Sequence, residues 1–355
     1  MAYISFQPKD HYNTKLYTGT GSELALTGVG FQPDFTWIKK RNGTSNGYLY
    51  DAVRGATKQI NADGNWATNT EAQSLKSFNA DGFTLGTDTG NNTSAGTYVS
   101  YNWNASGSTT IPAGNNSSPT IASCSINTTA GIGIYKYSSA NTPNQIVHGL
   151  GKTPQFVMIK NLDNAQDWAC YHSRVDGTLA EAGDFFLRLN TTAAPSDNSG
   201  YFNDMVTTDT VINLQGDYPV ARQGNYICYA FTNIDGFSRF GKYFGNVRVH
   251  GGYVHLGFAP AFVMIKSTGT RDWFMYDNKR PMNAQGFFNP NQNFLMANAT
   301  NAESNNVNLA VDFLSNGFKI RTTAGDINGD GDAILYMAFA EHPVISSNGV
   351  PATAR

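Results

Sequence analysis

The sequence predicts an all-β protein built from tandem antiparallel β-sandwich domains of jelly-roll or lectin-like type. Three observations carry that expectation. Aromatic residues make up 13% of the 355 residues and charged residues only 14%, with 36 glycines set among many Asn, Thr and Ser. Aromatic and β-branched side chains fit a pleated surface, whereas exposed helix faces need Glu, Lys, Leu and Ala. Short alternating stretches are separated by Gly, Asn and Asp clusters, as in sandwiches and jelly rolls. Finally, one phrase occurs three times: PDFTWIK at Pro33, PQFVMIK at Pro154 and PAFVMIK at Pro260.

Each copy continues alike. A second aromatic strand follows the shared lysine, with Tyr50 and Tyr171 each 11 positions after Lys39 and Lys160, and Tyr276 10 after Lys266. Then come FTLG, VINL and FKIR, and a closing strand, YVSYNW from Tyr98, YICYAF from Tyr226 and ILYMAF from Ile334. The spacing is domain-sized. It divides the chain into an N-terminal arm plus sandwich over 1–105, a Ser/Thr/Asn/Gly-rich linker over 106–123, and sandwiches over 124–238 and 239–355. The linker reads as an extended connector. The second and third repeats join more tightly through NIDGFSRFGKYFGN, whose Phe237, Phe240, Tyr243 and Phe244 are expected between domains. YICYAF is apolar on both faces, so such a strand should lie between two covered layers or have one face in a domain contact. The best helix candidate is Asn69–Phe78, with Asn69 or Thr70 as cap.

Composition limits the function classes. A formal net charge of −2 gives no reason to expect nucleic acid or an anionic membrane as partner. No apolar run approaches the ~20 residues of a membrane span. The start MAYISFQPKDHYNTK lacks a signal-peptide apolar core, which fits assembly or release by another route. Cys124, Cys170 and Cys228 lack metal spacing and read as buried, reduced thiols.

Candidate chemistry is sparse. No HExxH, GxSxG or His-x-His is present. Asp51 and Asp277 follow Tyr50 and Tyr276, His172 takes that place in the second copy, and Arg54, Arg174 and Arg280 come next; this reads as an exposed ion pair of ~0.2–1 kcal/mol. Trp168 and Trp273, with Tyr276 and Asp277, are the candidate ligand-binding residues, since exposed tryptophans stack on sugar rings. The competing reading is that the tryptophans fill each sandwich core. DINGDGD sets Asp326, Asn328, Asp330 and Asp332 at calcium-loop spacing, but the twelfth position is Met337, not the bidentate Glu such a loop requires. A tight hairpin turn is the first reading and calcium the second; no other cofactor is expected.

The stretches MAYISFQPKDHYNTKLYTGTG, GVGFQPDFTWIKKR, VRGATKQI, EAQSLKSFNADGFTLGTD and the ending from Asp312 resemble a family of structural proteins of marine tailed bacteriophages, over essentially the whole chain. The resemblance implies a non-enzymatic virion protein located in the virion, with other virion proteins as partners, and it supplies no catalytic residues. The leading expectation is a tail-associated fibre or adhesin, a homotrimer presenting loops to a host surface glycan. The alternative is a capsid decoration or head-surface protein docking through its extended start. A glycan depolymerase ranks third and needs a carboxylate pair drawn from Asp51, Asp277, Glu303 or Asp312.

Overall fold

The computed structural model of the chain describes residues 6–115, 119–141, 144–175, 183–202, 207–215, 220–280, 289–342, 344–345 and 351–352. It is an all-β, sandwich-type fold in which one antiparallel sheet plan is used three times. In every copy an opening strand pairs with the closing strand, the closing strand with the strand bearing the shared lysine, and that lysine strand with what we call the clasp strand. These are Tyr12–Thr18, Thr97–Trp103, Phe35–Lys40 and Tyr48–Asp51 in the first repeat. In the second they are Ile132–Ser139, Gly224–Thr232, Pro154–Asn161 and Ala169–His172, and in the third Ser238–Phe244, Ala333–His342, Ala259–Ser267 and Trp273–Asp277. Register is kept as well: Lys39, Lys160 and Lys266 stand opposite Val99, Ile227 and Leu335.

A small sheet covers the outer face of each large one, formed in the first repeat by Leu24–Leu26, Gly82–Leu85 and Leu75–Asn79. Between the two layers lie Tyr17, Leu26, Ile38, Tyr50, Leu75, Phe83, Leu85 and Tyr98. The third repeat has the matching core of Val263, Ile265, Tyr276, Phe318, Ile320 and Tyr336. Alternation sends every other side chain of the same strands to the inner face. There Trp37, Tyr101, Trp103, Phe156, Phe231, Phe262, Met337 and Phe339 belong to one continuous core drawn from all three repeats. Both apolar faces are thereby explained: one is covered within the repeat, the other by the neighbouring repeats. At its centre three equivalent residues, the sixth of YVSYNW, YICYAF and ILYMAF, meet as a triangle. Trp103, Phe231 and Phe339 have ring centroids 5.5 to 6.4 Å apart, within the range of favourable aromatic pairs. The chain is a closed pseudo-three-fold ring.

Several expectations are corrected. Residues 69–78 form no helix; Asn69–Thr70 and Leu75–Asn79 are strands, because Leu75 is needed in the small sheet's core and the sheet's hydrogen bonds override a weak local preference. The 106–123 connector is not free: Ser108 bridges to Ile126, and Thr120–Asn127 adds an edge strand beside Ile132–Ser139. Phe237 and Phe240 are buried in the shared core, Tyr243 packs inside the third sandwich, and Phe244 is 59% exposed. Residues 6–11 of the N-terminal arm fold against the ring, where Phe6 meets His11 and Phe237 edge-on at 4.7 and 5.4 Å.

Candidate functional site

The shared lysines, Asp51, His172, Asp277 and the tryptophans Trp168 and Trp273 converge on the junctions between repeats. The shared lysine comes first. Each reaches back to a backbone carbonyl of the preceding repeat: Lys160 Nζ to Asn65 O at 3.2 Å, Lys266 Nζ to Thr192 O at 3.1 Å, and Lys39 Nζ to Ala299 O at 2.5 Å, which closes the circle. Lys266 also donates to Gly269 O and Arg271 O. Three carbonyls can only accept, so the site fits an ammonium with three protons. Burial pulls all three lysines down to about 8, which leaves them charged at neutral pH.

The second element is the clasp. Asp51 takes the Arg54 Nε–H at 2.5 Å and, from the next repeat, the Tyr229 hydroxyl at 2.6 Å. Asp277 takes the Arg280 Nε–H at 2.5 Å and the Tyr101 hydroxyl at 3.0 Å. These ion pairs are 0–1% exposed, so the expected surface pair is a buried, cross-repeat lock. Burial lowers the Arg280 pKa, but Asp277, Tyr101 and Glu303 outweigh it and hold the guanidinium above its ordinary value. The second repeat departs from this scheme. His172 stands at the aspartate position, Val175 at the arginine position three residues on, and Met337 faces them where the other junctions have tyrosine. Arg174 is exposed and is not the counterpart of Arg54. His172 lies against Tyr336 O through Nε2 at 3.3 Å, and its Nδ1 accepts from the Arg174 amide at 3.1 Å. This fixes the neutral tautomer; burial pulls the pKa down to about 4, with Arg174 and Lys242 adding to the effect. The exchange leaves a cavity of about 10 Å³ lined by Phe156, His172, Met264, Trp273 and Met337, room for one water at most.

The tryptophans form the third element. Trp168 Nε1 donates to Asn61 O at 2.8 Å and Trp273 Nε1 to Arg188 O at 3.1 Å, each in the preceding repeat. In the first repeat the same position is Gly47, whose carbonyl accepts from Ala62 as Trp273 O accepts from Ala297. The volume there is filled instead by Trp37, at the position of Met158 and Met264. The sugar-platform reading is therefore withdrawn. Trp168 and Trp273 are at most 2% exposed, Tyr276 is buried with its hydroxyl on Leu309 O, and Asp277 is in the lock. The depolymerase candidates are likewise engaged: Glu303 binds Arg41 and Arg280, and Asp312 binds Arg321.

The DINGDGD stretch opens with a short helix, Gly325–Asn328, not a plain hairpin. Asn328 is buried; its Oδ1 accepts from Asn246 N, and its Nδ2 donates to Thr322 O and Arg248 O. Asn92 in the first repeat does the same with Thr20 N, Gly86 O and Ser22 O. Asn328 thus serves as a backbone strut shared by the first and third repeats, a use of asparagine that matches its local hydrogen-bonding habit. Asp326 pairs with Arg271 at 3.4 Å, Asp330 is exposed and Asp332 is half-buried. Among the described residues, no group of three or more His, Cys, Asp or Glu is placed to hold a metal.

Sequence reasoning missed the cross-repeat character of the lysine, tyrosine and aspartate positions. The lysine recurs in all three copies and the aspartate and tyrosine in two, and that recurrence was the available signal, since a buried charge kept in several copies needs a partner in each.

Fold and junctions define a class: a single-chain ring of three β-sandwiches, joined at all three junctions by a buried lysine that reaches a carbonyl of the preceding repeat and at two of them by an Asp–Arg–Tyr lock. The chain belongs to the family described as Domain of unknown function (DUF7483), whose model matches residues 7–343. No curated protein and no solved structure matches it.

Proposed function

We propose that this chain is a non-enzymatic virion structural protein, the three-lobed head of a tail-associated fibre or adhesin. One observation carries the reading: a ring closed within one chain through three junctions places three sets of inter-strand loops at one end of the body. Closure is supplied within one chain, which supports a monomer where the leading expectation was a homotrimer. The ionisable groups at the junctions are spent on structural locks, which supports a binding or scaffolding role over acid–base chemistry. Asp51 and Asp277 sit in separate junctions, each tied to its own arginine and tyrosine.

A head-surface decoration is the second reading, favoured by the lack of any coiled-coil shaft among the described residues. Quantitative mass spectrometry of purified virions separates the two. A few copies per particle support the fibre head, and hundreds support decoration. Absence of the chain from particles overturns both.

A further inference from the structure

Resting on the virion reading above, we infer that the third repeat alone carries a docking face, centred on Val247, for another folded protein of the virion. That partner offers an apolar pocket to Val247, with a carboxylate for Arg248 and a cation for Asp330.

Past the end of each opening strand the chain takes one left-handed residue. These are Gly21, Asn141 and Val247, with φ of +72°, +63° and +48°. Strand register makes them equivalent: each lies three residues beyond Thr18, Ser138 or Phe244, which stand opposite Thr97, Asn225 and Ala333. Glycine and asparagine tolerate this conformation, whereas a β-branched residue is strained in it. The backbone frame is the same in the first and third copies, since Gly21 N donates to Asn92 O as Val247 N donates to Asn328 O. Val247 is 44% exposed, so burial within the chain gives little to offset its strain. Strained residues of this kind concentrate at functional positions.

The surroundings of Val247 have changed with it. Phe244 is 59% exposed, with Lys242 Nζ 5.5 Å from its ring centroid, and stands where the first repeat has Thr18. From the left-handed residue to the buried small-sheet residue, Leu26 or Val254, the first repeat takes five positions and the third seven. The longer connection carries exposed Val249 and His250. Arg248 stands in place of Ser22. On the adjoining turn, where Gly331 N donates to Gly245 O as Ala95 N donates to Gly19 O, Asp330 stands in place of Ser94.

An apolar centre flanked by both signs of charge fits a protein surface. An anionic bilayer repels Asp330 and, being fluid, has no use for a side chain held at one fixed angle. A pocket in a folded partner does, because a preplaced side chain loses little freedom on binding. Contacts made once and kept, as in an assembled particle, are also the more apolar kind, which favours a virion protein over a host receptor.

The test compares particles assembled with each variant. Val247→Asn installs the residue that Asn141 carries in the same conformation. The purified variant should melt at or above the parent temperature, while its incorporation into virions falls about tenfold or more, since an unpaired amide is costly in an apolar pocket. Arg248→Glu should lower incorporation as well. Ser22→Glu and Ser94→Lys, at the matching places of the first repeat, should leave it unchanged. Benzoyl-phenylalanine placed at position 249 should cross-link to one virion protein on illumination. Four results overturn the inference: Val247→Asn melting below the parent, unchanged incorporation of that variant, full incorporation with loss of adsorption to host cells, or cross-links to lipid alone. With the parent chain present in particles, each of these leaves the virion reading intact. Absence of the parent chain from particles removes both.

Discussion

At the residue scale, charge buried at the junctions has a definite cost when it is unpaired. Asp277 is wholly buried between Arg280 and the Tyr101 hydroxyl. Asp277→Asn leaves the guanidinium with Glu303 as its one remaining carboxylate, and since breaking a buried pair from one side costs about 3–5 kcal/mol, urea denaturation should show a loss near the lower end of that range. His172 makes a prediction about pH. In the unfolded chain it titrates near 6.5 and in the fold at about 4, so between those values the unfolded state holds the extra proton. Stability from this group is complete above pH 6.5 and is lost as pH falls towards 4, by about 3 kcal/mol in total. Burial lowers His11 and His148 as well, so some acid sensitivity belongs to them. Denaturation of His172→Asn from pH 7 to 4 should show a shallower fall than the parent. A parallel fall would remove His172 from the account.

At the element scale, the strands were legible and their partners were not. The period-2 alternation in FVMIK and YICYAF fixed strand positions, because sheet burial demands it. The same alternation could not say which apolar face met another repeat. Leu75 and Phe78 misled the helix assignment, since a short apolar spacing fits either periodicity. Trp37 and Gly47 share a volume that the sequence pattern does not reveal. A Cβ on Gly47 would lie 2.9 Å from Lys39 and 3.1 Å from Trp37 Nε1, so Trp37 occupies the space that Trp168 and Trp273 occupy at the other junctions. Gly47→Trp alone should therefore destabilise by overpacking, by about 1–3 kcal/mol or more. Combined with Trp37→Met, it should recover much of that loss, with a coupling energy of at least about 1 kcal/mol in a double-mutant cycle. The indole Nε1 would then reach for the Met296 carbonyl, the counterpart of Asn61 and Arg188 by strand register. Additive losses would show that the two positions do not share one volume.

At the scale of the whole molecule, the strength of each junction runs opposite to its covalent tether. The second and third repeats are joined by a turn of a few residues between Thr232 and Ser238, and their junction has His172 and Met337 in place of the charged lock. The first and second are joined by the longer stretch from Asn104 to Pro119 and keep the Asp51–Arg54–Tyr229 lock. The third and first have no direct tether. They carry the Asp277–Arg280–Tyr101 lock and, in addition, the bidentate Arg41–Glu303 pair at 2.9 and 3.1 Å with Arg280 on the same carboxylate. A short tether raises the effective concentration of its two ends and lessens the need for polar locks; the untethered seam has to be held by side chains alone. The sequence displayed three repeats but not their closure, because closure depends on contacts between residues more than 170 positions apart, such as Tyr101 with Asp277.

That seam is where the central claim is tested. Ser45 N donates to Thr300 O at 2.9 Å across it, and the native thiols Cys124, Cys170 and Cys228 are buried away from oxidant. Oxidising a Ser45→Cys, Thr300→Cys variant and measuring its mass in solution under non-reducing conditions is the most direct measurement. A closed single-chain ring predicts a quantitative disulfide within one chain at the monomer mass of 38.5 kDa. Disulfide-linked oligomers, or free thiols on a chain of unchanged mass, would contradict it.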